Sequence, residues 1–297
     1  MFKTSVNKVL VITGPTASGK TALAIEKAQK LNGVIINYDS LQVYKDLPIL
    51  TAYPTEEEIK SAPHKLFGYL NYYDNISVVD WAKLATIEVN KVLNTNKLPI
   101  LVGGTGMYIE ILIHGISPVP DIPQEIRSKA IELANNNFER LCNDVYKFDP
   151  KVKDIIKPEN HHQIIRAWEV QNTSNKSILY FYSLPKQKFI NTEFEFININ
   201  IDREMLYRKI NKRFDIMIEN GAIDEVKDLM RKFNTYDSTS NYETLFKKYN
   251  IFKAIGAKEI VMYLNNKMSY NTMIELSKQY SRNYAKRQIT WFKYHCK

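Results

Sequence analysis

Val9-Leu-Val-Ile-Thr13 runs directly into Gly14-Pro-Thr-Ala-Ser-Gly-Lys-Thr21, and Ala22 to Leu31 follows with helical character. The apolar run has the composition of a buried strand in a parallel sheet. Gly14, Gly19, Lys20 and Thr21 fit the pattern G-x-x-x-x-G-K-[ST]. Strand, loop and helix in that order are the setting in which the pattern binds phosphate. The glycines let the loop turn tightly, so its backbone N–H groups converge on an anion, and the helix directs its positive end at the same place. Lys20 adds a full charge and Thr21 offers a hydroxyl to Mg²⁺. Gly14, Pro15, Thr16, Ala17, Ser18, Gly19, Lys20 and Thr21 are therefore the candidate phosphate-binding residues.

Gly33 to Asn37 reads as the next strand, with Tyr38-Asp39-Ser40-Leu41-Gln42 at its end. Ligands of open parallel sheets bind beyond the carboxyl ends of the strands, so Asp39 belongs near the phosphate loop. A carboxylate there could support Mg²⁺ or act as a general base. Asp39 or Ser40 could equally cap a helix. Val43 to Ile59 reads as a loop and then a short helix capped at Thr55, and Leu66 to Leu70 as a third strand. Ser77 to Leu93 has a helical apolar period, with Ser77 and Asp80 as caps. Leu98 to Val102 is a fourth strand that ends in Gly103-Gly104-Thr105-Gly106, and Met107 to His114 continues as a helix. This second glycine-rich loop either brings Thr105 against the same ligand or is a plain strand-to-helix turn. No acidic residue ends the strand, so water activation for ATP hydrolysis is poorly equipped.

Pro118 to Pro123 breaks the pattern, and Gln124–Asn135, Phe138–Tyr146 and Glu159–Gln171 then read as helices. Ser183 to Lys188 is a linker, and Phe194 to Ile201 alternates like a last strand. The expected architecture is α/β: a P-loop NTPase-like parallel sheet flanked by helices, with a helical insertion and a helical C-terminal region. The core takes residues 1–120 and 190–297, and the insertion 121–189. Asp202 caps the next helix, with Arg203 in its first turn. Leu206, Ile210, Phe214 and Met217 form its buried stripe, Arg208, Lys209, Lys212 and Arg213 lie off it, and Gly221 ends it. Ile223 to Phe233 is a further helix, Asn234 to Tyr242 a surface loop, and Ile255 to Glu259 opens or interrupts another helix. The closing helix, Asn271 to Tyr294, carries Lys278, Arg282, Lys286, Arg287 and Lys293, with Lys297 beyond it, among Tyr280, Tyr284, Trp291 and Phe292. Arg282 and Lys286 share a face. Such a surface suits a nucleic-acid backbone and unstacked bases, or is simply a solvated face over core aromatics.

The chain has 297 residues, 44% hydrophobic, with a formal net charge of +9 that favours an anionic partner. Cys142 and Cys296 are far apart and build neither a disulfide framework nor a zinc motif, so both are expected as reduced thiols of a cytoplasmic protein. Lys3 and Lys8 flank no signal-like apolar core, and no stretch is long enough to span a membrane.

Together these segments resemble the bacterial tRNA dimethylallyltransferases, also called tRNA isopentenyltransferases. Gly14 to Thr21 looks like the family's phosphate loop, and Asp39-Ser-Leu-Gln-Val-Tyr44 like its D-S-x-Q-x-Y segment. Leu101 to Tyr108 resembles V-G-G-T-G-x-Y, Gln163 to Val170 resembles R-I-I-R-A-L-E-V, and Tyr284 to Phe292 resembles the closing A-K-R-Q-x-T-W-F. Departures stand at Leu50-Thr-Ala-Tyr-Pro54 in place of G-T-A-K-P, at Pro63-His64-Lys65 in place of P-H-H, at Ile255 to Glu259 in place of I-G-Y-K-E, and at Gln163 in place of an Arg. The resemblance implies transfer of a dimethylallyl group from dimethylallyl diphosphate to N6 of the adenosine 3′ of the anticodon, in tRNAs reading codons that begin with U. It implies Asp39 as general base, Thr105 and Arg203 as further catalytic residues, and Mg²⁺ on Thr21. It further implies that Asp39, Ser40, Leu41, Gln42, His162, Gln163, Ile164, Ile165, Arg166, Arg282, Lys286 and Arg287 contact the tRNA anticodon arm. With no C-terminal Cys/His zinc finger in view, the chain resembles the bacterial form, expected as a monomer. A small-molecule kinase binding ATP on the same loop, an adenylate isopentenyltransferase and a non-catalytic RNA-binding ATPase are the competing readings.

Overall fold

The computed structural model describes residues 8–236 and 241–295; Lys3, Cys296, Lys297 and residues 237–240 of the expected surface loop lie outside them. In chain order the elements are β1 (Lys8–Thr13), α1 (Lys20–Leu31), β2 (Gly33–Asn37), α2 (Glu56–Ser61), β3 (His64–Lys65), α3 (Val78–Asn94), β4 (Leu98–Val102) and α4 (Gly106–His114). The helices α5 (Gln124–Asn136), α6 (Phe138–Phe148), α7 (Val152–Ile155), α8 (His161–Ser174) and α9 (Ile178–Ser183) follow. The chain ends with β5 (Glu193–Asn198), α10 (Arg203–Glu219), α11 (Ala222–Tyr236), α12 (Tyr242–Lys248), a 3₁₀ turn at Asn250–Lys253, α13 (Ala257–Leu264) and α14 (Tyr270–His295).

Residues are grouped by contact into two compact units, 1–113 with 189–297, and His114–Lys188. In the first, the strands lie in the order β3-β2-β4-β1-β5, all parallel. Alternation along β1 explains the layering: Val9 and Val11 face one core with Trp81, Ala85 and Val89 of α3, while Leu10 and Ile12 face the other with Ala24 and Ala28 of α1. Both faces are covered, which is why the strands read as unbroken apolar runs. The caps sit where the sequence places them. Thr55 and Glu58 form a capping box, Ser77 accepts from Asp80 N, Asp202 accepts from Glu204 N and Met205 N, and Gly221 takes φ +96°.

The third strand differs from expectation. His64–Lys65 pairs with Ile35 and Ile36, and the chain then leaves the sheet because Leu66 and Gly68 take positive φ. Leu70 keeps only an isolated bridge to Tyr44. Asn37 Nδ2 holds the Leu66 carbonyl at 3.0 Å and fixes this departure.

The second unit, His114–Lys188, begins before the expected boundary at 121 and carries its own core. Leu141, Val145, Ile164, Ala167, Val170 and Phe181 from α6, α8 and α9 pack together with Cys142, whose thiol is pushed up by burial. The ends of the unit are joined by reciprocal bonds between Ile116 and Gln187, at 3.1 and 2.8 Å. No helix among the described residues is long and apolar enough to cross a membrane.

Candidate active site

The phosphate loop is set by backbone geometry: Gly14, Ala17 and Gly19 all take positive φ, and α1 starts at Lys20. Lys20 Nζ folds back on the Gly14 and Pro15 carbonyls at 3.0 and 2.7 Å. Burial pushes its ammonium down to about 7, nearby Arg213 pushes the same way, and Asp39 opposes both. Ser18 Oγ is buried with no hydrogen-bond partner. A buried hydroxyl without a partner is costly unless a ligand completes it.

Asp39 lies at the end of β2 in an Asx turn: its Oδ1 accepts from Leu41 N at 2.9 Å, and its own N–H donates to Asn37 Oδ1 at 2.7 Å. No helix starts here, so neither Asp39 nor Ser40 is a cap. Thr105, in the loop after β4, accepts from Ser40 N at 3.0 Å and donates to Ser40 Oγ at 3.2 Å. The two strand-end loops are thereby joined. The backbones approach so closely that a Cβ at Gly103 would stand 2.6 Å from the Tyr38 carbonyl carbon.

A cavity of about 370 Å³ opens onto these groups. Thr16 to Thr21, Asp39, Gln42, Gly103, Lys209, Arg213 and Gln288 all line it. Beside it lies a smaller pocket of about 70 Å³, lined by Leu41, Leu50, Ile210, Phe214, Met217 and Ile255 and sharing Thr16, Asp39, Thr51 and Arg213. The 48–52 turn that contributes Leu50 and Thr51 is held from two sides. Glu225 accepts from Ile49 N and Leu50 N at 2.7 and 3.0 Å, and Gln42 Nε2 donates to the Thr51 and Ala52 carbonyls at 3.1 and 2.7 Å.

Two arginines of α10 stand in different surroundings. Arg203 is exposed, donates from Nε to Tyr207 OH at 3.2 Å, and lines neither cavity. Arg213 lines both, and its Nη2 donates to Thr16 Oγ1. Burial pushes the Arg213 guanidinium below its ordinary value, while Asp39 supports its charge. In the sequence it stands with Arg208, Lys209 and Lys212, off the buried stripe. The signal that finds it is helical phase, one turn after Ile210 and one before Met217.

The closing helix α14 also differs in detail. Lys278 pairs with Asp215 at 2.7 Å, and Arg282 Nη1 donates to Asn211 Oδ1 at 2.7 Å, so both are tied to α10. Lys286 and Arg287 are exposed and share a shallow open groove with Trp291, Tyr294 and His295, where the Trp291 and His295 rings stack 4.3 Å apart. In the other unit, His162 and Gln163 are exposed on α8, and Arg166 pairs with Glu169 at 3.1 Å. Ile165 is half-buried, but Ile164 is fully buried in that unit's core and offers nothing to a partner's surface.

Residues 42–295 match the family described as IPP transferase, and residues 7–71 match isopentenyl transferase. The tRNA dimethylallyltransferase of Rickettsia bellii (strain OSU 85-389) is 39% identical over 98% of this chain and 89% of its own. That of Pelagibacter ubique (strain HTCC1062) is 37% identical over 96% and 88%. Among solved structures, a eukaryotic dimethylallyltransferase acting on tRNA superposes with a TM-score of 0.85 at 27% identity, over 96% of this chain and 70% of its own. A tRNA isopentenylpyrophosphate transferase from Staphylococcus epidermidis gives 0.66 at 35% identity, over 98% and 91%.

Proposed function

This chain belongs to the IPP transferase family, and we propose that it transfers a dimethylallyl group from dimethylallyl diphosphate to N6 of the adenosine 3′ of the anticodon, in tRNAs reading codons that begin with U. The juxtaposition of two cavities carries this reading. An anion cradle shares Asp39 and Arg213 with a small pocket that has one apolar wall, of Leu41, Leu50, Ile210, Phe214 and Met217. A branched hydrocarbon can lie along the Leu50, Ile210, Phe214 and Met217 wall of that pocket, with its reacting carbon toward Asp39 and Arg213 on the polar side.

In this reading the donor's diphosphate lies against the loop amides, Lys20 and the Ser18 hydroxyl, with its hydrocarbon in the pocket of Leu50, Ile210, Phe214 and Met217. The adenine leaves its stack to reach Asp39. Its N6 forms a bond to the allylic carbon as the carbon–oxygen bond breaks, and the electron pair departs with the diphosphate. Asp39 takes the N6 proton. Lys20 and Arg213 stabilise the charge that grows on the leaving group. Thr105 keeps Asp39 in place through Ser40. Among the described residues no three His, Cys, Asp or Glu gather into a metal site. A magnesium ion would be held by the Thr21 hydroxyl, which lines the cradle, together with the diphosphate oxygens. When bound, it supplies further neutralisation of the leaving group's charge. Lys286, Arg287 and the exposed start of α8 would meet the anticodon arm. In this reading the enzyme is a monomer that works in the cytosol with its substrate.

The test is to incubate the protein with prenyl-labelled dimethylallyl diphosphate or γ-labelled ATP, offering tRNA or AMP as acceptor. Prenyl label on tRNA alone is the expected result. Label on AMP, or γ-phosphate on a small acceptor, would replace this reading with an adenylate isopentenyltransferase or a kinase.

A further inference from the structure

Gln288 of α14 is 4% exposed and reaches the loops that follow β1 and β4, neighbouring strands of the sheet. Its Oε1 accepts from Thr16 N at 2.8 Å, in the phosphate loop. Its Nε2 donates to the Gly104 carbonyl at 2.9 Å, in the loop that carries Thr105. Tyr284, one turn earlier, donates to the same carbonyl at 3.3 Å. The fit leaves no room for a side chain: a Cβ at Gly104 would stand 2.2 Å from Gln288 Nε2 and 3.6 Å from Asp39 Oδ2. Thr105 in turn holds Ser40, the neighbour of Asp39.

We propose that Gln288 is the positioning residue that holds the anion cradle in register with the Asp39 loop. The inference deepens the reading given above and rests on it. A primary amide is suited to the task, since it donates at one end and accepts at the other within one rigid plane. An in-line displacement needs the leaving group and the base on fixed sides of the reacting carbon, and an error near 1 Å costs about a hundredfold. The same helix presents Lys286 and Arg287 to solvent, so the clamp sits on the element that would also meet RNA.

Gln288→Met keeps the length and volume but loses both bonds. Gln288→Glu when ionised keeps the acceptor toward Thr16 and loses the donor toward Gly104; when protonated it recovers both. The charged and titratable groups lining the same cavity are Lys20, Asp39, Glu58, Lys209 and Arg213, with Tyr284 on α14 itself. The experiment measures single-turnover prenyl transfer from pH 6 to 8.5, together with affinity for inorganic pyrophosphate and for tRNA, in the parent and both variants. For Gln288→Met, kcat is expected to fall about tenfold to a hundredfold at every pH and pyrophosphate affinity about threefold to tenfold, with tRNA affinity within about twofold. Gln288→Glu is expected to exceed Gln288→Met at pH 6. Parental kcat in Gln288→Met, a parallel loss of tRNA binding, or a Glu variant no better than Met at pH 6 would overturn the assignment. Absence of transfer by the parent would instead refute the functional reading, and pyrophosphate affinity alone would then judge the clamp.

Discussion

Replacing Arg213 with Gln is expected to lower kcat for prenyl transfer about a hundredfold to a thousandfold, whereas Arg203→Gln changes it by about twofold at most. The contrast follows from where the side chains stand. Arg213 is bonded to Thr16 inside the cradle, lines both cavities and faces Asp39. A preorganised donor aimed at a developing oxyanion is worth about 3–4 kcal/mol in a site sheltered from water, which is the stated loss in rate. Arg213→Lys keeps the charge but gives up the planar fork, so an intermediate loss is expected. Arg203 sits exposed over the Tyr207 ring, 5.3 Å from its centroid, where salt and water screen it. The assay is single-turnover transfer with saturating tRNA, so that product release does not mask chemistry. Pyrophosphate inhibition supplies a second readout: its affinity should weaken about tenfold or more in Arg213→Gln and stay put in Arg203→Gln. A parental single-turnover rate in Arg213→Gln, or a hundredfold loss in Arg203→Gln, would refute the placement of this charge.

Asp39→Asn keeps the Asx turn's acceptor oxygen but cannot take a proton. Pyrophosphate and tRNA affinity should hold within about threefold while transfer falls about a hundredfold or more; near-parental transfer would remove Asp39 from the base role. Lys20 is held down to about 7 chiefly by burial, so above that pH the free protein must take up a proton to grip an anion. Pyrophosphate affinity should therefore fall as pH rises from 6.5 to 8.5, and Lys20→Arg should flatten the slope relative to parent in the same titration. Charge reversal at Lys286 and Arg287 should weaken tRNA binding and reduce the magnitude of its log–log salt slope by about one to two, whereas Arg282→Ala, which breaks the bond to Asn211, should act on thermal stability first. Gly106→Ala would set a Cβ 2.4 Å from the Trp291 ring, and a destabilisation of about 1–3 kcal/mol is expected in denaturant unfolding.

The parts of the site legible in the sequence are those that follow a strand directly. Gly14 to Thr21 follows β1, Asp39 follows β2 and Thr105 follows β4, so sheet topology alone brings them to one edge. Arg213 and Gln288 were less legible because they arrive from helices, where sequence shows only a face. Arg213 flanks a buried stripe, beside Ile210 and Met217, whereas Gln288 lies within one, between Ala285 and Phe292, where a polar residue is easily passed over. Periodicity separates inside from outside but says little about that border, where a polar side chain reaches across to another element. Arg282 shows the converse: its face was legible but its partner, Asn211 on α10, was not. The third strand was misplaced because His64–Lys65 is too short to carry a period, while the apolar run after it turns at Leu66.

If the cradle holds a prenyl donor's diphosphate beside a carboxylate that deprotonates a nucleobase, pyrophosphate release and base modification must keep step. The most direct measurement follows pyrophosphate release and nucleoside composition together, in one reaction of the protein, dimethylallyl diphosphate and unmodified tRNA. Equal amounts of pyrophosphate and N6-(dimethylallyl)adenosine, the latter mapping next to the anticodon, are expected with no ATP present. Orthophosphate release that depends on ATP, with unmodified adenosine at that position, would contradict the claim.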